Sequence, residues 1–134
     1  MKKYIFELEM KVRDYECDLQ GIVNNANYQH YMEHSRHEFL AKMGGNFGKL
    51  HEQGTDALIR RVEIDYLKPL ISGDRFVVRI NIKQEGPRLI FFQDIYRLPD
   101  NTLCIRAKAE NVCVVNGKLS KGEVFAKIFG EYLS

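Results

Sequence analysis

The chain has 134 residues, of which 45% are apolar and 28% charged, and its net charge is +2. This balance predicts one soluble globular domain spanning residues 1–134 and excludes a disordered or fibrous chain. So small a net charge, with no run of basic residues, argues against a nucleic-acid partner. No stretch approaches the roughly 18 apolar residues of a membrane span. The three cysteines show no metal-ligand spacing, so we expect a reduced, cytoplasmic protein without membrane contacts.

Hydrophobic periodicity predicts a first strand followed by one long helix. Residues 4–13 alternate apolar with charged side chains, which is the period of a half-buried strand. Residues 28–43 repeat apolar side chains at helical spacing, with Asn27 as the predicted N-cap and Gly44 as part of the terminator. A short second helix is predicted over residues 46–54.

Four further strands follow, separated by turn residues. Alternation of apolar and polar side chains places them at residues 61–67, 75–83, 89–98 and 102–115. The pair Asn116-Gly117 predicts a tight hairpin turn, and residues 121–132 return to helical spacing. Only one long helix is available to cover five strands. The sequence therefore predicts an α+β fold, in which the antiparallel sheet curls around that helix.

The segment before the long helix carries the residues suited to chemistry. Asp18 lies in an irregular loop, three residues before Gly21. The first amides of the following helix are unpaired and carry partial positive charge, so they can stabilise a developing oxyanion. A carboxylate beside such donors has the two parts of acyl hydrolysis: a nucleophile or base, and a group that polarises the carbonyl. The alternative for Asp18 is a helix cap or a solvated turn residue.

Two motifs with fixed offsets resemble a known family. They are Asp18-x-x-Gly21-x-Val23, followed by Asn27-Tyr28-x-x-Tyr31-x-Glu33-x-x-Arg36, and Ile64-Asp-Tyr66-Leu-Lys-Pro69 with Gly73-Asp74. Over nearly the whole chain, this pattern resembles the 4-hydroxybenzoyl-CoA thioesterase family of hotdog-fold acyl-CoA thioesterases. The resemblance implies a five-stranded sheet wrapped around the long helix. It also implies hydrolysis of an acyl- or aroyl-CoA thioester to the free acid and coenzyme A, without a metal or organic cofactor.

The resemblance implies an active site at the interface of a homodimer or homotetramer whose protomers pair along sheet edges. Asp18 is the expected nucleophile or general base, and the backbone amide of Asn25 is the expected oxyanion donor. The residues expected to bind the substrate next to these two groups are Gly21, Val23 and Tyr28.

The motif also departs from the family in the loop. Glu16 stands where many relatives have Asp, and Asn24 and Asn25 stand where many have an aromatic residue or His. A backbone donor survives the second change, whereas a His acting on the leaving group does not, so the proton path stays open. Within the helix, Glu33 and Arg36 are expected to form an i, i+3 pair that anchors it.

Several other side chains have a chemical and an ordinary interpretation. Lys83 and Arg88 flank a predicted turn and are expected to meet the phosphates of coenzyme A, with solvated surface charge as the alternative. Three histidines on one helix face could bind zinc, but no H-E-x-x-H motif accompanies them, so we expect no metal site there: His30, His34 and His37. Cys17 is more consistent with a small filler than with a nucleophile, because no His adjoins it in sequence.

Two other functions fit the same fold. One is a non-catalytic protein that binds acyl thioesters or an acyl carrier. The other is a hotdog hydratase, in which an Asp and a His lie a few residues apart in a loop. The nearest His after Asp18 is His30, already within the predicted helix, which argues against a hydratase.

Overall fold

The computed structural model describes residues 4–45 and 47–133. Its helices and strands, in chain order, are β1 (Phe6–Lys11), α1 (Asn25–Lys42), α2 (Phe47–Glu52), β2 (Thr55–Tyr66), β3 (Arg75–Glu85), β4 (Arg88–Leu98), β5 (Thr102–Val115), β6 (Lys118–Leu119) and α3 (Glu123–Phe129). Short 3₁₀ turns occupy residues 14–16 and 130–132. No helix in these described ranges is long and apolar enough to cross a membrane.

The strands form one antiparallel sheet that curls around α1. Its strand order is β1-β3-β4-β5-β2, and the two-residue β6 extends β5 as a hairpin. One face of α1 is buried against the sheet, and this face comprises Tyr28, Tyr31, Met32, Ser35, Arg36, Phe39 and Leu40. Phe39 is fully buried, and its ring meets Phe6 from β1 and Phe91 from β4. The predicted α+β hotdog fold of five strands around one long helix is confirmed.

The N-terminus of α1 lies earlier than the sequence predicts. The helix begins at Asn25, because the side chain of Asn24, rather than that of Asn27, is the N-cap. Asn24 Oδ1 accepts a hydrogen bond from the amide of Ala26 at 2.9 Å. The Asn27 side chain is instead engaged elsewhere, since its Nδ2 donates to the carbonyl of Glu16 at 2.7 Å. The prediction of Asn27 as the cap was therefore wrong.

Strand β2 is longer than the predicted segment 61–67. It starts at Thr55, and its pairing with β5 shifts register between Ile59 and Arg61. Such a bulge places two residues opposite one and interrupts the apolar–polar alternation. The first half of β2 therefore carries no readable period, and the adjacent Leu58 and Ile59 are 49% and 44% exposed. The predicted start of the second helix, Asn46, lies outside the described residues.

The last strands follow the prediction closely. The bounds of β5 are those predicted, and the turn at Asn116-Gly117 has φ of +51° and +81°, as a type I′ hairpin requires. The C-terminal helix is shorter than the predicted segment 121–132, because α3 is flanked by Gly122 and Gly130. Glycine lowers helix propensity, so the periodic pattern extends beyond the helix itself.

A buried polar cluster lies between α1 and β4. Gln93 is fully buried, and its Nε2 donates to the carbonyl of Met32 and to Ser35 Oγ, each at 2.8 Å. Its Oε1 accepts from Arg36 Nη1 at 2.9 Å. Burial lowers the pKa of Arg36, and the nearby charge of Glu33 opposes that shift. The expected Glu33–Arg36 anchor is thus corrected: within the described ranges, the Arg36 guanidinium donates to Gln93 rather than to Glu33.

We predict that Gln93→Leu lowers the free energy of unfolding by about 2–4 kcal/mol. The change removes the amide, so the buried Arg36 guanidinium, the Ser35 hydroxyl and the Met32 carbonyl each lose one hydrogen-bond partner. Urea denaturation at one fixed protein concentration measures this. Gln53→Leu is the control, because Gln53 is exposed after α2, and we expect it to change stability by less than about 0.5 kcal/mol. Equal stability of the two variants would contradict the prediction.

Candidate active site

The Asp18 loop is a tight reversal held by backbone hydrogen bonds. The amide of Asp18 donates to the carbonyl of Ile22 at 2.9 Å, and Gly21 N donates to the carbonyl of Asp18 at 3.0 Å. An antiparallel bridge between Cys17 and Val23 closes its base. Gly21 has φ of +80°, and an added Cβ would meet nothing within 4 Å. The turn conformation, rather than close packing, therefore requires glycine here.

The carboxylate of Asp18 is exposed and is partly engaged by its own loop. Its Oδ1 accepts a hydrogen bond from the amide of Gln20 at 2.8 Å, the contact of an Asx turn. Across residues 4–45 and 47–133, the carboxylate has no other hydrogen-bond partner. One oxygen thus fixes the orientation of the carboxylate, and the other remains available to water or a ligand.

The N-terminus of α1 lies directly beside this loop. The amide of Asn24 donates to the carbonyl of Glu16 at 3.0 Å, which continues the pairing between Cys17 and Val23. Asn25 is the first helical residue, and its amide finds no acceptor in the part of the chain that the structure describes. An unpaired first-turn amide at the end of an 18-residue helix is a suitable donor to an anionic oxygen.

A cavity of about 190 Å³ opens at this end of α1. Val23, Asn25 and Tyr28 line it, together with Ile22 and residues 66–69. The structure thus brings these three predicted site residues together, whereas Asp18 and Gly21 are not among the residues that line the cavity. Tyr28 is only 2% exposed, and its hydroxyl oxygen accepts a hydrogen bond from the amide of Leu70 at 3.0 Å. Burial raises the pKa of Tyr28, so this side chain is a neutral wall residue.

The two basic residues expected at coenzyme A lie far from the loop within one chain. Arg75 begins β3 and pairs with Lys11, at the end of β1 that leads into the loop. Lys83 lies eight residues further along β3, which is about 26 Å from Arg75. Lys83 Nζ lies 3.6 Å from Glu85 Oε2, and Arg88 Nη1 donates to Glu110 Oε1 at 2.7 Å. Their contact with coenzyme A phosphates stays a prediction.

The side chains considered for metal binding or thiol chemistry have other surroundings. His30 Nδ1 lies 3.3 Å from Asn27 Oδ1, and His34 Nε2 lies 3.9 Å from Glu38. Among residues 4–45 and 47–133, no three His, Cys, Asp or Glu side chains are grouped to hold a metal ion. Burial, and secondarily the charge of Asp18, raises the pKa of the Cys17 thiol, which disfavours a reactive thiolate.

Sequence reasoning missed the contacts of Glu16. Its carboxylate accepts hydrogen bonds from the amide of Arg13 at 2.8 Å, from Arg13 Nη1 at 3.0 Å and from the hydroxyl of Tyr31 at 2.7 Å. Its carbonyl accepts from Asn24 N and Asn27 Nδ2. An acid in a polar loop is ordinarily exposed. The only signal in the sequence was its place in the motif, two residues before Asp18.

Most of the sequence matches a known protein family. Residues 12–126 match the family described as the Thioesterase-like superfamily. The chain belongs to this superfamily. The match is broader than the 4-hydroxybenzoyl-CoA thioesterase family to which the motifs point, and it covers every element from the end of β1 into α3.

Other members of the superfamily are similar over most of the chain. The acyl-acyl carrier protein thioesterase ATL3 of Arabidopsis thaliana is 40% identical over 111 residues, which are 82% of this chain and 58% of ATL3. This chain thus spans about three-fifths of the plant relative. The acyl-CoA thioesterase YbgC of Helicobacter pylori is 32% identical over 97 residues, 70% of this chain and 71% of YbgC.

Among solved structures, the fold matches protein SAV2348 from Staphylococcus aureus, determined in complex with CoA. The TM-score is 0.86, and the match covers 98% of this chain and 85% of that protein. The two sequences are 20% identical, so this likeness shows the fold alone.

We predict that Asn24→Ala lowers the free energy of unfolding of this superfamily member by about 1 kcal/mol, the cost of losing an N-cap. Asn24→Asp keeps an acceptor for the Ala26 amide and places negative charge at the helix N-terminus, so stability should be retained. Urea denaturation of both variants at the same protein concentration measures the difference. An unchanged free energy in Asn24→Ala would contradict the assignment of the cap.

Proposed function

We propose that this protein is a thioesterase that hydrolyses an acyl- or aroyl-CoA thioester to the free acid and coenzyme A. The observation that carries the proposal is the pairing of the Asp18 turn with the N-terminus of α1. This pairing joins the Asp18 turn, whose carboxylate is exposed, to the segment that leads into the unpaired amide of Asn25. Ile22 of the turn and Asn25 both line a largely apolar cavity. Membership of the Thioesterase-like superfamily, and two relatives named as thioesterases, support the same reaction.

In the proposed reaction, the carbonyl oxygen of the thioester accepts a hydrogen bond from the amide of Asn25. Asp18 then either takes a proton from an attacking water or attacks the carbonyl carbon itself. Both routes pass through a tetrahedral oxyanion, which collapses by expelling the thiolate of coenzyme A. In the second route, water then attacks the acyl carbon of the mixed anhydride, and the carboxylate of Asp18 leaves with both of its own oxygens. Water supplies the oxygen of the product acid in both.

Charge at the helix terminus explains why the amide of Asn25 suits this role. The helix dipole places partial positive charge at the first turn, and the apolar cavity wall strengthens its effect on a developing oxyanion. Removing one such donor from an enzyme typically costs about 10²–10³ in turnover. The proposed site needs no metal ion, because the helix terminus polarises the carbonyl.

We extend the proposal to assembly as a homodimer, or as a homotetramer of such dimers. Strand β2 is an edge of the sheet, and its outer side has no strand partner within the described part of the chain. Leu58 and Ile59 are exposed on it, and Tyr66 and Leu67 at its end are 47% and 52% exposed. Tyr66 and Leu67 also line the cavity, so a partner pairing along β2 would enclose the site.

A second candidate is a non-catalytic protein that binds acyl thioesters or an acyl carrier. The observation favouring it is the bond between Asp18 Oδ1 and the amide of Gln20, which gives the carboxylate a purely structural purpose. In that case the cavity binds an acyl group, and the carboxylate never reacts. The two functions make opposite predictions for an isosteric change at Asp18.

We predict that Asp18→Asn lowers kcat by about 10² or more while leaving KM nearly unchanged. The amide oxygen of Asn can still accept the bond from Gln20 N, so the loop should keep its shape and the melting temperature should change little. Turnover of acyl-CoA, aroyl-CoA and acyl-carrier-protein thioesters, measured on the same preparation as the melting temperature, tests this.

Asp14→Asn is the matched control for that experiment. Asp14 is another exposed acid of the same loop, and its Oδ1 accepts a hydrogen bond from the amide of Tyr15 at 2.8 Å. It should retain normal kcat. If folded Asp18→Asn also turns over substrate normally, Asp18 is not the reacting carboxylate. If no thioester in the panel is hydrolysed by the unsubstituted protein but one binds, the binding function is correct.

We predict that Leu58→Glu raises the dissociation constant of the dimer by about 30-fold or more, because it buries a charge in the proposed β2–β2 interface. Turnover should fall in parallel as the site loses the partner's side. Leu119→Glu is the control, since Leu119 is 67% exposed on β6, away from that edge. Sedimentation velocity over a concentration series measures both. A stable, active monomer of the unsubstituted protein would refute the assembly.

A further inference from the structure

One residue of the loop that carries Asp18, Glu16, bonds α1 both through its buried carboxylate and through its carbonyl, which accepts from Asn27 Nδ2. Glu16 is 9% exposed, and it contacts the end of β1 through Arg13 and the second turn of α1 through Tyr31. We infer that Glu16, held by the hydroxyl of Tyr31, is the residue that positions Asp18 against the amide of Asn25. This inference rests on the proposed thioesterase function, because it assigns Glu16 a role in that reaction.

The hydrogen bond between Tyr31 and Glu16 is the firmest part of this arrangement. Tyr31 is 4% exposed, and its ring centroid lies 4.7 Å from that of Phe76 in the core. Burial, and then the hydrogen bond to Glu16, raises the pKa of Tyr31, so the hydroxyl keeps its proton and donates. A hydroxyl donating to a carboxylate at 2.7 Å is a charge-assisted bond, roughly twice as strong as a neutral one.

The contact with Arg13 contributes less to this placement. The side chain of Arg13 is 61% exposed, so solvent weakens the ion pair between Arg13 Nη1 and Glu16 Oε2 at 3.0 Å. The backbone amide of Arg13 donates to Glu16 Oε1 at 2.8 Å and orders the 3₁₀ turn locally. Among the described residues of α1, Tyr31 is the one that contacts the carboxylate.

Main-chain and side-chain contacts of Glu16 act on the same segment. The side chain is fixed to Tyr31, while the carbonyl accepts from the amide of Asn24, one residue before Asn25. Asp18 follows two residues later on the same arm of the reversal. A shift of Glu16 therefore moves Asp18 relative to the first helical amide. Misplacing a reacting group by about 1 Å can cost roughly 10² in rate.

A second tyrosine hydroxyl, outside this loop, also donates to a buried carboxylate. The hydroxyl of Tyr4 donates to Asp94 Oδ2 at 2.6 Å, and Asp94 is 1% exposed. Burial, and then the bond to Asp94, raises the pKa of Tyr4 as it does that of Tyr31. Asp94 lies in the middle of β4, opposite Arg79 of β3 and Arg106 of β5, and the Tyr4 hydroxyl also lies 2.8 Å from that of Tyr96. This pair is a matched control for a contact that is only structural.

The first experiment compares Tyr31→Phe with Tyr4→Phe in the full-length protein. Each removes one hydroxyl that donates to a buried carboxylate, so both should lower the melting temperature by comparable amounts. We expect only Tyr31→Phe to lower kcat, by about 10-fold, with KM unchanged, at a temperature well below both transitions. Normal kcat in folded Tyr31→Phe would overturn the inference, as would an equal loss in Tyr4→Phe.

The second experiment asks whether the effect passes through Asp18. If Tyr31 and Glu16 act by positioning that carboxylate, adding Tyr31→Phe to Asp18→Asn should cause no further loss of kcat. A full additional 10-fold loss would mean that Tyr31 acts elsewhere, and the inference would be wrong. Glu16→Gln should also lower kcat, because it removes the charge from the bond; where it fails to fold, the Tyr31→Phe cycle decides.

The outcomes separate this inference from the proposed function. Normal turnover in Asp18→Asn removes the proposed catalytic carboxylate whatever Tyr31→Phe does. A large loss in Asp18→Asn together with normal turnover in Tyr31→Phe keeps the thioesterase mechanism and rejects only the positioning role of Glu16.

Discussion

The burial of α1 is the constraint on which the rest of the structure depends. A single 18-residue helix must fill the concave side of a five-stranded sheet, so its apolar face is matched to strands β1, β3 and β4 at once. Because cores are close-packed, the helix cannot slide without opening cavities. The polar cluster around Gln93 adds directional bonds to that packing. The position of the helix N-terminus, and hence of the Asn25 amide, follows from contacts far from any chemistry.

Two carboxylates of the same loop have contrasting environments. Glu16 is buried and has its hydrogen-bonding capacity filled by Arg13 and Tyr31, so it holds the chain. Asp18, two residues away, is exposed and gives only one contact to its own turn. Holding and reacting are incompatible demands on one side chain, since a reacting carboxylate must exchange partners. In the proposed mechanism, Glu16 holds the loop and Asp18 reacts.

Period and turn chemistry predicted most of the fold because they are local properties. The bounds of β5 and the turn at Asn116 follow from alternation and from a left-handed turn residue pair. The first half of β2 was not predicted as a strand, because the bulge after Ile59 interrupts the apolar–polar alternation. The helix start was misplaced because Asn24 and Asn27 are equally good caps in sequence, and a tertiary bond to Glu16 engages Asn27. Such long-range contacts leave no periodic signal.

The exposed edge of β2 has a consequence for the newly made chain. A twelve-residue edge with Leu58 and Ile59 uncovered is a template for pairing with any extended segment, including those of partly folded copies. Arg60 and Arg61 follow directly, and they are exposed. Charges placed next to an apolar stretch act as gatekeepers, because stacking such strands brings like charges together. The bulge between Ile59 and Arg61 also twists the edge away from flat stacking. The irregularity that interrupts the sequence pattern of β2 therefore also opposes aggregation.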